Sequence, residues 1–167
     1  MQDKMLYLIA VFDEETQRIL KGYYNILCEN GFVGTQIKDS PYHFTLGSCN
    51  PDEEVQLISK LESVCSKTSC FDICFGYAGL FGLNVLFIAP NINFELLEIR
   101  NSFFPQSGFG FHNWAAHATL LMDEPEEILR AVPIISNKFS PFKATVERLE
   151  VYEFFPKRFV KSAALIH

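Results

Sequence analysis

The sequence predicts an α+β fold made of two copies of a β-α-β-α-β unit related by a pseudo-twofold axis. Three observations point there. Apolar runs of strand length alternate with segments whose apolar residues recur at helical spacing. The order strand, helix, strand, helix, strand occurs twice within 167 residues. The second strand of each copy carries the same pattern, His43-Phe44-Thr45-Leu46 and His117-Ala118-Thr119-Leu120.

The elements follow in order. Leu6 to Phe12 is a continuous apolar run, as in a buried strand. Asp13 reads as the N-cap of a helix, with Glu14 and Glu15 in its positive first turn and Ile19, Leu20, Tyr23, Ile26 and Leu27 inward. Asn30-Gly31 stops it. Strand-like segments follow near Val33–Ile37 and Tyr42–Cys49. Asn50-Pro51 with Glu53 opens a second helix, whose inward stripe is Val55, Ile58, Leu61 and Cys65. Two strands, Cys70–Leu80 and Asn84–Ala89, flank a glycine-bearing turn, and a short helix covers about Asn93–Phe104. After a loop rich in Gly and aromatics comes a strand over Trp114–Met122. Pro125 starts a fourth helix with Ile128, Leu129 and Val132 inward, which Pro133 should kink or end because it removes a donor. Phe142–Phe155 and Phe159–Ile166 close the fold as strands. No linker separates the repeats, so the expectation is a single bilobal domain over 1–167, with repeat halves of about 1–80 and 81–167.

Composition narrows the function classes. The chain is 49% hydrophobic and 20% charged, which excludes disorder and low-complexity fibre. No apolar run reaches the ~18 residues of a membrane span, and the N-terminus lacks the pattern of a secretory signal. A soluble, cytoplasmic protein without a membrane role is expected. The net charge of −6 argues against a generic nucleic-acid coat. Residues 138–167 nevertheless hold six basic side chains against three acidic ones, which allows an anion site there. Five cysteines, none in a C-x-x-C pair, read as reduced and mostly buried thiols rather than zinc ligands.

The repeated pattern carries the chemistry. Residues two apart in a strand share a face, so His43 points with Thr45 and His117 with Thr119, while Phe44, Leu46, Ala118 and Leu120 point to the back. Two imidazoles with ordinary pKa near 6.5 can serve as one base and one acid at neutral pH. A threonine hydroxyl beside each can donate to an oxyanion. Such a quartet suits in-line displacement at phosphorus. It demands no metal and no cofactor, because no carboxylate or cysteine cluster adjoins either motif.

Paired H-x-T-L motifs on a duplicated layout resemble the 2H phosphoesterase superfamily, which includes the 2′-5′ RNA ligase-like proteins and the cyclic phosphodiesterases. The resemblance spans nearly the whole chain, from the Leu6 strand to Val146–Tyr152, and maps onto His43, Thr45, His117 and Thr119. It implies a central cleft lined by strands of both lobes, with both histidines in it. It also implies metal-independent acid/base hydrolysis of 2′,3′-cyclic phosphates or 2′-5′ phosphodiester linkages in nucleotides or RNA ends. The acidic chain favours a small or terminal nucleotide over a long RNA track. The alternative is a nucleotide- or RNA-end-binding module of the same fold without significant turnover. Which histidine is the base, and the oligomeric state, stay open.

Secondary candidates concern substrate binding. Phe109, Phe111, His112 and Trp114 precede the second motif, and Trp114 is the best stacking platform for a base. Arg148, Glu150 and Tyr152 share a strand face, so Arg148 or Tyr152 would contact phosphate or base if that face lines the cleft; the alternative is a solvent face on which Arg148 and Glu150 pair as neighbours. Lys157-Arg158 reads as a solvated turn.

Overall fold

The computed structural model describes residues 4–105 and 114–167. Phe109, Phe111 and His112 lie outside the described residues. The element order is β1 (Leu6–Phe12), α1 (Glu14–Glu29), β2 (His43–Cys49), a 3₁₀ turn (Pro51–Glu53), α2 (Glu54–Cys65), β3 (Phe71–Phe81), β4 (Val85–Asn91), α3 (Phe94–Phe103), β5 (Ala118–Met122), α4 (Pro125–Lys138), β6 (Phe142–Phe154) and β7 (Lys157–Ala164).

The seven strands form one sheet in the order β2-β1-β6-β3-β4-β5, with β7 beside β6. Exchanging β1 with β4, β2 with β5 and β3 with β6 maps that order onto itself, which is the pseudo-twofold. All named pairings are antiparallel. The third strand of each repeat adds to the first strand of the other, since β3 pairs with β4 and β6 with β1. The two edge strands, β2 and β5, approach one another across the molecule.

One sheet face is the core. Leu6, Leu8, Ala10 and Phe12 of β1 pack there with Leu20 and Leu27 of α1, Leu61 of α2, Ile99 of α3 and Ile128 and Ile135 of α4. Phe12, Phe44 and Phe75 form its aromatic centre, with centroids 4.8–5.5 Å apart in edge-on or tilted arrangements. The opposite face carries the alternate residues, including the small cluster Ile9, Val11 and Tyr152 with Phe154 against it.

Local signals explain most boundaries. Asp13 accepts from Thr16 N at 3.1 Å, and Glu53 accepts from Asn50 N at 3.0 Å. Several expectations need correction. Residues 33–37 form no strand. They are held by Thr35 N donating to Met122 O at 2.7 Å and by Met122 N donating to Gln36 Oε1 at 3.0 Å, so a side chain stands in for a ladder bond. The strand after the aromatic loop begins at Ala118, not Trp114. Val55 and Leu129 are exposed, because Leu57, Leu61 and Cys65 set the face of α2 and Ile128, Ala131 and Ile135 that of α4. Helix α4 runs through Pro133. Pro133 and Leu129, whose carbonyl loses its donor, both lie on the exposed side, where water can satisfy the freed acceptor. All five cysteines are free, but Cys65 alone is buried, and Cys28 and Cys74 are exposed. Among the described residues no helix is long and apolar enough to cross a membrane.

Candidate active site

His43 opens β2, and His117 immediately precedes β5, so the motifs sit on the two edge strands that approach each other. Phe44, Leu46, Ala118 and Leu120 are buried in the core, whereas His43, Thr45, His117 and Thr119 are half-buried on the other side. All four line one cavity of about 470 Å³. The motif leucine has a structural task. Ile9 pairs with Thr45 and Leu8 with Gly47, so Leu46 is a bulge; Phe87 pairs with Thr119 and Leu86 with Leu121, so Leu120 is the matching bulge. A bulge bends the strand and re-aims the residues beside it. The same irregularity therefore follows the threonine in both repeats.

The histidines are held identically. His43 Nδ1 lies 2.7 Å from Pro41 O, and His117 Nδ1 lies 2.7 Å from Ala115 O. A carbonyl can only accept, so Nδ1 carries the proton in each neutral ring and Nε2 keeps its lone pair for the cavity. Gln17 fixes the approach to the first motif, donating Nε2–H to Tyr42 O at 2.8 Å and accepting from Tyr42 N at 2.8 Å. Trp114 ties the second motif to the first, donating Nε1–H to Thr45 O at 2.8 Å.

The surroundings of the two imidazoles differ. His43 stacks on Phe154 at 6.3 Å and 17°. His117 lies edge-on to Phe81 at 4.6 Å and against Phe87 at 5.4 Å. Register shows where the symmetry breaks. Thr45, Ile9 and Glu150 form one cross-strand row, and Thr119, Phe87 and Gly79 form its counterpart. One repeat thus has a carboxylate where the other has no side chain. Glu150 is buried, accepts from Arg148 Nε at 2.8 Å, and leaves Oε2 without a partner. Burial pushes both imidazoles below their ordinary pKa. At His43 the charge of His117 adds to that lowering, while its bond to Pro41 and the Glu150 carboxylate oppose it.

Three residues expected to bind substrate do not line this cavity. Trp114 is engaged by its bond to Thr45 and by the Arg100 guanidinium 4.8 Å from its ring centre. Arg148 is bound to Glu147 and Glu150. Arg148, Glu150 and Tyr152 do share the histidine side of the sheet, in register with Val11, Ile9 and Tyr7, but Tyr152 is buried between neighbours and stacks on Phe154 at 5.5 Å and 7°. Burial, with the Glu150 carboxylate beside it, pushes the Tyr152 phenol up to about 12. Lys157 and Arg158 are not a bare solvated turn: Lys157 binds Asp39, and Arg158 bridges Glu54 and Glu153. The sequence reading missed Gln17, Lys21 and Tyr24, which line the cavity from α1, and Lys38 and Ser40, which line it from the segment before β2. The spacing 17, 21, 24 marks one helical face, which was the available signal. Among the described residues no three His, Cys, Asp or Glu side chains gather as metal ligands.

No family model matches the chain, and no curated protein sequence matches it. Solved structures do. Apo LigT of E. coli superposes with a TM-score of 0.65 at 16% identity, covering 100% of both chains. A crystal structure described as a phosphoesterase gives 0.64 at 15% identity, over 99% of this chain and 100% of that one. LigT of E. coli complexed with 3′-AMP gives 0.64 at 14% identity over the same shares. The chain has the LigT-like 2H phosphoesterase fold.

Proposed function

We propose that this chain is a 2H-type phosphoesterase, one bilobal unit whose two repeats each supply a His–Thr pair to a single reacting phosphate. It hydrolyses 2′,3′-cyclic phosphates or 2′-5′ linkages of nucleotides or RNA ends, without a metal. The observation that carries this reading is the matched pair of Nδ1–carbonyl bonds, which leaves two Nε2 atoms available in one cavity beside two threonines. The 3′-AMP-bound LigT structure supports a nucleotide ligand for this fold.

In the proposed reaction one imidazole takes a proton at Nε2 from the attacking water as its oxygen bonds to phosphorus. The other, protonated at Nε2, gives that proton to the departing ribose oxygen as its bond to phosphorus breaks. Thr45 and Thr119 donate to the non-bridging oxygens, whose charge grows in the transition state. The ring Nδ1 bonds hold both imidazoles in the tautomer this requires. The burial that lowers both imidazole pKa values is offset once a phosphate anion enters, because a neighbouring negative charge favours imidazolium.

The test is incubation with 2′,3′-cyclic AMP and with 2′-5′ ApA in the presence of EDTA, followed by chromatography of the products. Conversion that disappears in His43→Ala and in His117→Ala is the expected result. Conversion abolished by EDTA, or retained in either variant, overturns the mechanism. Unchanged ligand with measurable affinity identifies a binding module instead.

A further inference from the structure

One reacting phosphate engages two imidazoles and two hydroxyls, yet the cavity offers further cationic groups. Its remaining walls include α1 and the segment leading to β2, which present Gln17, Lys21, Gln36, Lys38 and Ser40. Gln17 is committed to the Tyr42 backbone, and Gln36 to Met122 N and Val33 O. Lys21, Lys38 and Ser40 are differently placed. Lys38 Nζ donates to Gly34 O at 3.0 Å, which leaves two of its three protons for other acceptors. Lys21 Nζ lies 4.9 Å from the centre of the Tyr24 ring. Ser40 Oγ is buried and has no hydrogen-bond partner.

The charge around them is one-sided. The chain holds 20 acidic side chains against 14 Lys and Arg, but among the described residues lining this cavity none is Asp or Glu. Neither Lys21 nor Lys38 forms an ion pair among the described residues. The nearest acid along the chain, Asp39, is bound by Lys157 Nζ at 3.3 Å. Two lysines and a residue with an unused hydroxyl, lining a cavity without acids, match an anion that the catalytic quartet does not already hold. Lys38 is five residues from His43, so their Cα atoms are at most about 18 Å apart. The cavity volume of about 470 Å³ lies within the usual range for small-ligand sites.

We propose that Lys21, Lys38 and Ser40 form a second anion subsite, so that the preferred substrate is a nucleotide bearing a second phosphate besides the one that reacts. The placing of the reacting phosphate between the histidines rests on the function proposed above. The second phosphate comes either from the 5′-position of the same nucleotide or from the next internucleotide linkage.

Calorimetric binding to the full chain separates these possibilities without requiring turnover. The ligands are 3′-AMP, adenosine 3′,5′-bisphosphate, and the dinucleotide ApA carrying a 3′-terminal phosphate. We expect at least one of the two-phosphate ligands to bind about tenfold more tightly than 3′-AMP. That ratio should fall to about one in Lys21→Gln/Lys38→Gln, and part of the way in Ser40→Ala. The bisphosphate or the dinucleotide, whichever shows the gain, identifies the source of the second phosphate. Equal affinities in the native chain, no measurable binding of either two-phosphate ligand, or a ratio retained in the double variant would each overturn the subsite. The single lysine variants give the same readout if the double variant does not fold. Hydrolysis with a ratio of one sinks the subsite and spares the proposed function. A charge-dependent ratio without hydrolysis does the reverse.

Discussion

Two imidazoles that each donate Nδ1–H to the carbonyl two residues upstream can exchange protons with a ligand only through Nε2. Because burial lowers both pKa values, and each positive charge opposes the other, the pair protonates in two steps that both lie below pH 6.5. The state with one proton shared between the rings is most populated between those steps. The maximum of kcat/KM should therefore fall on the acid side of pH 6.5, and that of kcat should lie higher, since bound phosphate raises the imidazole pKa. Rate profiles from pH 4.5 to 8.5 would show it; coincident maxima above pH 7 would contradict it. Removing the Glu150 charge by Glu150→Gln should lower the His43 midpoint further, read by NMR titration of the imidazole protons, and move His117 less. Replacing Thr45 or Thr119 by Val should cost roughly 10²–10³-fold in kcat, as for loss of one oxyanion donor, and leave the thermal transition nearly in place. The histidines and threonines were legible from spacing alone, since a two-residue step in a strand fixes their common face. Glu150 was visible on its strand face, but its burial, and its opposition to Gly79, depend on register between strands far apart in sequence.

At the scale of elements, the bulges at Leu46 and Leu120 explain why the shared pattern extends to leucine. The side chain anchors the irregular residue in the core while His and Thr stay on the open face. Gly79 of β3 and Gly47 of β2 show what the site leans on. A Cβ at Gly79 would sit 2.6 Å from the Phe87 ring, and Phe87 packs on His117. Gly79→Ala should therefore cost about 1–3 kcal/mol as an overpacking change and also reduce kcat/KM, because the displaced ring meets the imidazole. Gly47→Ala meets the Phe104 ring at 2.6 Å, so it should cost a similar amount in denaturant melts without engaging either imidazole. An unchanged melt for both would show that the rings give way freely. Helix periodicity located α1, α2 and α4, yet misjudged Val55 and Leu129. An amphipathic stripe defines a face only to within a residue or so, and the packing partner selects the rest.

The whole molecule exchanges its third strands. Neither sequence half contains the neighbours its own sheet needs: β1 is completed by β6, and β3 lies between β6 and β4. Fragments 1–80 and 81–167 should each be unfolded alone and regain strand signal when mixed, as followed by far-ultraviolet circular dichroism. A folded isolated half would refute this. The buried imidazoles also couple the global fold to pH. Their folded pKa values lie below the unfolded value near 6.5, so below that pH the unfolded chain binds more protons and stability falls as pH drops. The transition temperature should thus rise from pH 5 to 7, and rise less in His43→Gln/His117→Gln.

Apart from the strand expected at 33–37, which does not form, element order is a property of local spacing, as are the twofold repeat and the identity of the His–Thr quartet, and a single chain displays them. The closeness of β2 to β5, the lysine-lined wall and the occupied state of Trp114 are not. Those follow from which strands pair and how the sheet brings its edges together, and such contacts join residues many tens of positions apart. No local period encodes them.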